Sequence, residues 1–165
     1  MEALAGPAWA ARNWRLTLYG DGPAREGLQR VVRRFALQDR VVFAGFVAGV
    51  ERIWAENHVL VMPSRYEGLP LAMVEAMLCA RPVVATDVAG HSEIVEEGIT
   101  GFLADAPMVA SIAGVLEKLW CHRHNLKQMG EAGAKRIRAH IPADPAQVFS
   151  QKLQCLLTMH SLDHP

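Results

Sequence analysis

Two glutamates, Glu67 and Glu75, lie eight positions apart in the stretch PSRYEGLPLAMVEAM, residues 63–77. If a helical rise extended across them, the two positions would be roughly 12 Å apart. The paired carboxyl groups of a glycosidase lie about 5–9.5 Å apart, so this spacing does not suit one shared reacting bond. It suits contact with two ends of an extended ligand that carries hydroxyl donors. From the pattern alone, a solvated position for Glu75 on the helix surface remains the alternative.

The backbone between the glutamates offers a second kind of contact. Gly68 and Leu69 precede a helix that the pattern starts at Pro70. The first N–H groups of a helix lack internal partners and carry partial positive charge, so they accept phosphate groups. Gly68 would allow the ligand to approach the backbone closely. The stretch therefore predicts a diphosphate bound between two carboxylates.

Short apolar strands alternate with amphipathic helices over residues 15–105, which we assign as the core. This alternation predicts an α/β fold with a doubly wound, Rossmann-like parallel sheet, whose ligands bind at the carboxyl ends of the strands. Strands are predicted at 15–20, 41–45, 59–62, 83–86 and 101–104, and helices at 24–36, 50–55, 70–78 and 91–97. The loops that follow the carboxyl ends of the predicted strands are residues 20–23, 45–49, 63–69 and 87–92. Residues 107–165 are predicted to be helical with a break near 141–145, and the whole chain 1–165 to form a single domain.

Composition narrows the class of protein. The 165 residues carry 17 Lys and Arg against 17 Asp and Glu, so no net charge attracts nucleic acid or an anionic membrane. Three widely spaced cysteines fit reduced thiols better than a disulfide framework, which predicts a cytoplasmic protein. No leader-like N-terminus and no run of 18 apolar residues is present, so we expect no membrane span.

Three other motifs admit two interpretations each. The glycines of 20–27 suggest a dinucleotide fingerprint, but their spacing fails and a strand-to-helix turn is favoured. Cys121, His122 and His124 suggest a metal site, but no second ligand pair has a suitable spacing, and a polar loop between helices is favoured. His91 either starts a helix or borders the functional edge. We predict no metal and no cofactor.

The chain resembles the retaining glycosyltransferases of family 4, which have the two-domain GT-B architecture. The motifs that carry the resemblance are LTLYGDGP, VVFAGFV, the E-x7-E pair Glu67 and Glu75, and RPVVATDVAGHSEIVEEGITGFL, in that order. The match is strong over about residues 15–105 and looser in the helical remainder. It implies a hexosyltransferase-like enzyme domain that binds a nucleotide-sugar donor without a metal.

The resemblance also implies residue roles. Glu75 would bond the ribose hydroxyls, while Glu67, assigned as catalytic, would orient the transferred sugar. Backbone groups at Gly68 and Leu69 would hold the distal phosphate. The remaining donor-binding positions are the base pocket of 42–46, with Phe43 and Gly45, and the turn of Gly20 and Gly22. Residues 87–91 would border the site.

Some family features are missing from the sequence. Ala80 stands where the family usually has glycine. The sequence shows no counterpart of the family's acceptor-binding domain, nor of the first strand and most of the first helix of the donor domain. In the family, that missing part of the donor domain supplies the two basic residues that neutralise the diphosphate. We therefore expect a donor-domain fragment, inactive or weak alone, in which residues 15–20 and 59–62 either pair directly or receive a strand from another chain. The alternatives are a non-catalytic subunit that assembles with an acceptor-domain chain or with itself, and an unrelated nucleotide-binding or sugar-phosphate isomerase domain.

Overall fold

A computed structural model describes the backbone of residues 1–68, 70–142 and 144–162. The five strands in this part are β1 Leu16–Tyr19, β2 Val41–Gly45, β3 Leu60–Met62, β4 Val83–Thr86 and β5 Gly101–Ala104. The helices are α1 Pro7–Ala10, α2 Arg25–Arg34, α3 Val50–Glu56, α4 Leu71–Leu78, α5 His91–Ile94, α6 Val109–Cys121, α7 Leu126–His140 and α8 Pro145–Leu162. Short 3₁₀ turns occupy Glu2–Leu4 and Arg123–Asn125.

The described strands form two parallel sheets rather than one. The first sheet, which we call the open sheet, pairs β1 with β2; the second, which we call the buried sheet, has the order β3-β4-β5. The parallel α/β class is therefore confirmed. Among the described strands, β1 does not pair directly with β3. Instead β1 pairs with β2, and β3 pairs with β4. Residues 1–14 are helical or irregular and provide no strand between them.

The buried sheet is covered tightly. Met73 and Met77 of α4 and Ile137 of α7 pack with Val83 and Ala85 of β4, and the three helix side chains are fully buried. A close approach between helices is at Gly130 on α7, where an added Cβ would lie 2.0 Å from the carbonyl oxygen of Ala80, just after α4. The two helices can pack this closely only because Gly130 has no side chain.

The N-terminal segment is fixed to both sheets. Trp9 packs in the same cluster as Val84 and Phe102, while Trp14 also contacts the cluster beneath the open sheet. The Arg12 guanidinium forms two hydrogen bonds with the Glu117 carboxylate on α6, at 2.6 and 2.8 Å. It also lies over the ring of Trp9, with 4.5 Å between Cζ and the ring centroid. Residues 1–14 are thus part of the folded core.

Helix ends show two departures from the usual residue preferences. Ala36 and Ala80 have φ of 52° and 55°, the left-handed region that glycine tolerates best. Each follows a helix and completes a Schellman motif, in which the next N–H reaches back to the third-last helical carbonyl. For Ala80 the bonds are Arg81 N–H to Ala76 O at 2.8 Å and Ala80 N–H to Met77 O at 3.0 Å. The alanine at position 80 therefore adopts a conformation in which glycine is usually found.

Most element boundaries agree with the sequence prediction, and two predictions were wrong. Pro70 is not the first helical residue but the N-cap, in an extended conformation, because helical geometry begins at Leu71. The helix predicted over 91–97 ends at Ile94, since Val95 is extended and Glu96 instead bonds the Thr100 hydroxyl. The break near 141–145 is confirmed between α7 and α8.

Candidate functional site

The carboxyl ends of β3 and β4 bring two of the predicted loops together. Met62 is in register with Ala85, so residues 63–68 and 87–91 leave the sheet at the same edge. Met73 of α4 packs in one cluster with Ile94 and Val95, which places the start of α4 against α5. The predicted glutamate segment and the loop after β4 are therefore neighbours.

Glu67 is held by a local hydrogen bond. The Ser64 hydroxyl donates to Glu67 Oε1 at 2.7 Å, and the carboxyl group is partly buried. Such a bond fixes one oxygen and leaves the second available to accept from a ligand. The neighbouring Tyr66 side chain is 90% exposed, so this loop presents both a fixed carboxylate and an aromatic ring to solvent.

The start of α4 has free donors. Pro70, at the N-cap, has no side-chain hydroxyl, amide or carboxylate with which to cap the helix, and no side-chain cap is formed there. Because a helix leaves its first N–H groups without internal partners, this end of α4 carries partial positive charge. Space over Gly68 is open, with nothing within 4 Å of an added Cβ. Leu69, the other predicted phosphate contact, lies outside the described residues.

Glu75 lies one turn into α4 and is half-buried. Its carboxylate makes no hydrogen bond or ion pair with the residues that the structure describes, although its backbone carbonyl accepts from Cys79. The rise between Glu67 and Glu75 is not uniformly helical, because α4 begins only at Leu71. The sequence estimate of their separation was conditional on a helical rise throughout, and the structure shows that α4 covers only the part from Leu71 onward.

A second set of predicted residues lies at the carboxyl edge of the open sheet. The Gly20 N–H donates to the Gly45 carbonyl oxygen at 2.7 Å, and both glycines have positive φ, 97° and 70°. The register shifts here from Leu18 opposite Phe43 to Tyr19 opposite Gly45, which leaves Ala44 as a bulge. Bulges of this kind re-aim the chain at the rim of a site. Gly22 has open space where its Cβ would be.

One residue at this edge was missed by the sequence analysis. Arg25, the first residue of α2, has Nη1 3.4 Å from Asp21 Oδ1 and its Cζ 5.5 Å from the Phe43 ring centroid. It therefore contacts the predicted base pocket and borders the glycine turn. The available signal was the spacing of Asp21 and Arg25 across the turn, which is that of an ion pair at (i, i+4).

The two sets of residues belong to different sheets, between which one side-chain hydrogen bond runs. Asn57 Nδ2, in the segment that leads into β3, donates to the Tyr19 hydroxyl of β1 at 2.8 Å. The structure thus groups Gly20, Gly22, Phe43 and Gly45 at one edge and Glu67, Gly68 and Glu75 at the other. Both edges are carboxyl ends of parallel strands.

The loop after β4 is fixed from below by His91. Its Nδ1 donates to the Thr86 carbonyl oxygen at 2.7 Å, and both residues are fully buried. Among the described residues, neither His91 Nε2 nor Thr86 Oγ1 has a hydrogen-bond partner. His91 begins α5, as one of its two interpretations predicted, and Ala89 just before it has φ of 52°. The histidine positions the loop without facing solvent.

Other features give no competing site. Within residues 1–68, 70–142 and 144–162, no three His, Cys, Asp or Glu side chains are grouped so as to hold a metal. Cys121 ends α6 and His122 caps it, the interhelical position that the sequence favoured. A depression of about 440 Å³ lies on α7 beside Lys135 and Arg136. None of the helices described is long and apolar enough to cross a membrane.

Sequence comparison identifies the family. Residues 1–122 match the family described as glycosyl transferases group 1. The chain belongs to the group 1 glycosyltransferases. This group 1 glycosyltransferase chain is 32% identical over 136 residues to the alpha-D-kanosaminyltransferase of Streptomyces kanamyceticus, an alignment that covers 81% of the chain and 35% of the relative. The chain thus spans about a third of the length of that curated relative.

Solved structures give the same fold. Sucrose-phosphate synthase from Thermosynechococcus elongatus superposes with a TM-score of 0.79 at 25% identity, over 96% of this group 1 glycosyltransferase chain and 42% of the synthase. HepE from Anabaena, solved in complex with UDP, gives a TM-score of 0.78 at 25% identity over 95% and 43% of the two chains. The chain therefore has the α/β fold of one half of a GT-B glycosyltransferase.

Proposed function

We propose that this chain binds a nucleotide-diphosphate sugar and forms the donor half of a family 4 retaining glycosyltransferase. The observation that carries the proposal is the arrangement of Glu67 and Glu75 on either side of an uncapped helix start. The relatives support it, since a similar structure is that of a protein in complex with UDP.

The diphosphate would lie at the start of α4. Its oxygens would accept from the free N–H groups of the first turn, and Gly68 leaves the space for them. In the reaction, the bond between the sugar C1 and the diphosphate oxygen breaks while C1 bonds to an acceptor hydroxyl oxygen. The leaving diphosphate gains negative charge and takes up the acceptor's proton. The partial positive charge at the helix start stabilises that negative charge without any rearrangement of the protein. Such preorganised electrostatic stabilisation is usually the largest contribution to the rate enhancement.

Glu75 would bind the ribose. A carboxylate accepts two hydroxyl donors, and this one has no hydrogen bond or ion pair with the described residues. Leaving such a group half-buried and unpaired costs stability, which a ribose diol would offset. Glu67 would lie on the opposite side of the diphosphate. The hydrogen bond from Ser64 orients its carboxylate, which can then accept a hydrogen bond from a hydroxyl group of the sugar.

The acceptor would be bound elsewhere in the full protein. The relatives are about two to three times longer than this chain, and we propose that their additional length includes the acceptor-binding half. An isolated donor half leaves its cleft open to water and presents no acceptor. We therefore expect weak or no transfer from this chain alone, and retention of configuration once the acceptor half is present.

Isothermal titration calorimetry tests the donor site. UDP, GDP and ADP are titrated into the chain and into Glu75→Gln, which removes the charge and keeps the shape. Loss of charge-assisted hydrogen bonds to a ribose predicts at least about tenfold weaker binding of the preferred nucleotide. The matched control is Glu131→Gln on the exposed face of α7, where we expect no change. Equal affinity of the chain and Glu75→Gln would contradict the ribose role.

A further inference from the structure

Arg25 occupies the centre of the open sheet's glycine edge. Its guanidinium faces the Phe43 ring, and Nη1 lies 4.0 Å from the point where a Gly45 Cβ would be. Its one ion-pair partner in the described chain is Asp21, at a long 3.4 Å, and the Arg25 side chain is 34% exposed. A guanidinium has five N–H donors, so most of them remain available.

The surface around this guanidinium is flat and open. Added Cβ atoms at Gly20 and Gly22 would meet nothing within 4 Å, and Gly20 is bonded to Gly45, which places the glycines side by side. Phe46 follows directly and its side chain is 85% exposed. An exposed aromatic ring such as that of Phe46 is the type of surface on which nucleobases stack.

We infer that Arg25 contacts the nucleobase of the donor and selects bases that carry a carbonyl oxygen at the position of uracil O4 or guanine O6. The inference rests on the proposed function, because it assigns a specificity residue to that nucleotide site. Arginine only donates hydrogen bonds, so it pairs with the carbonyl oxygens of uracil or guanine. At that same ring position, cytosine and adenine carry an exocyclic amine, which is a donor and cannot accept a hydrogen bond from the guanidinium.

Charge favours the base over the phosphates as the partner of Arg25. The Asp21 carboxylate already offsets part of the guanidinium charge, which weakens attraction for an anion and leaves directional donors in place. The diphosphate position is accounted for by α4, which belongs to the other sheet. A neutral acceptor on a flat ring fits the Arg25 surroundings better than a phosphate does.

The test compares four nucleoside diphosphates on three proteins by calorimetry. The unmodified chain is expected to bind UDP or GDP at least about tenfold more tightly than ADP and CDP. Arg25→Met keeps the apolar stem and should lose that preference, with about tenfold weaker UDP or GDP binding and little change for ADP and CDP. Arg33→Met removes one exposed positive charge from the same helix and should behave as the unmodified chain.

Further outcomes separate the explanations. Arg25→Lys keeps the positive charge but loses the planar pair of N–H donors of the guanidinium. If Arg25 recognises the base, the nucleotide affinities of Arg25→Lys should therefore resemble those of Arg25→Met. Equal weakening of all four nucleotides in Arg25→Met, with recovery in Arg25→Lys, would mean a phosphate contact and overturn the inference. Unchanged binding in Arg25→Met would overturn it while leaving the donor site standing. If the unmodified chain binds no nucleotide, the proposed function and the inference fail together.

Discussion

The open sheet and the buried sheet differ in how much of their surface is covered. Val83, Val84, Ala85 and Thr86 of β4 are fully buried, whereas Val42 on β2 is 43% exposed and β1 is half-buried throughout. Helices α4 and α7 cover β4 through close backbone contacts. The open sheet has no equivalent contact among the described residues. The central strand of the buried sheet is thus tightly packed, whereas the two strands of the open sheet are only partly covered.

The largest expected effect uses the glycines of the two regions. Gly130→Ala would place a Cβ 2.0 Å from the Ala80 carbonyl oxygen, so α7 must move away from α4. We expect a loss of about 3 kcal/mol or more in the free energy of unfolding by urea. Gly22→Ala meets nothing within 4 Å and should cost less than about 0.5 kcal/mol. If the two variants lost similar amounts of unfolding free energy, the difference in packing between the two regions would be contradicted.

The next effect compares core side chains. Met77→Ala removes a fully buried side chain beneath the buried sheet and should cost about 2–5 kcal/mol. Leu18→Ala removes a half-buried side chain of β1, and we expect about 1 kcal/mol because less surface is lost. Chemical denaturation of both variants gives the difference. A Leu18→Ala cost equal to that of Met77→Ala would show that the open sheet is as well packed as the buried one.

A smaller effect concerns the helix ends. Ala36→Gly, near the open sheet, and Ala80→Gly, near the buried sheet, each relieve a left-handed alanine. Left-handed alanine costs about 1–2 kcal/mol, and glycine adds about 0.5–1 kcal/mol of backbone entropy. Each variant should therefore be more stable by up to about 1 kcal/mol in thermal unfolding. Destabilisation at position 80 alone would mean that the Ala80 methyl group makes packing contacts worth more than the strain.

The smallest effect is a pH dependence at the ion pair between the N-terminal segment and α6. The hydrogen bond from Arg12 holds the pKa of Glu117 below its usual value. A carboxyl whose pKa is depressed by folding adds stability above its unfolded pKa, and that stability is lost as pH falls through the folded pKa. The stability difference between the chain and Glu117→Gln should therefore shrink on acidification below about pH 4.5. A difference that stays constant from pH 7 to pH 3 would contradict this coupling.

Much of the architecture could be predicted from local pattern. Strand β4 was placed correctly because three apolar residues and a threonine between Pro82 and Asp87 form the short run that is typical of a buried strand. The start of α4 was misplaced by one residue, since proline suits both the N-cap and the first helical position. The division into two sheets depends on long-range pairing, and the sequence pattern predicted one sheet instead.

The candidate site was predictable where it is local. Glu67 and Glu75 are on one continuous segment, so their spacing could be read directly, although the conformation of residues 67–70 could not. Arg25 was missed because its partners Phe43 and Gly45 are distant in sequence and meet it only in the fold. The Ser64 bond to Glu67 depends on a loop conformation that no periodicity encodes.

The central claim is that a nucleotide bridges the two carboxyl edges. Amide chemical-shift mapping of the ¹⁵N-labelled chain during a UDP titration tests it directly. We predict that the perturbed signals include Gly20 and Gly45 on the open sheet together with Gly68 and Glu75 beside the buried sheet. Perturbations confined to the α7 depression around Lys135 and Arg136, or none at millimolar UDP, would contradict the claim.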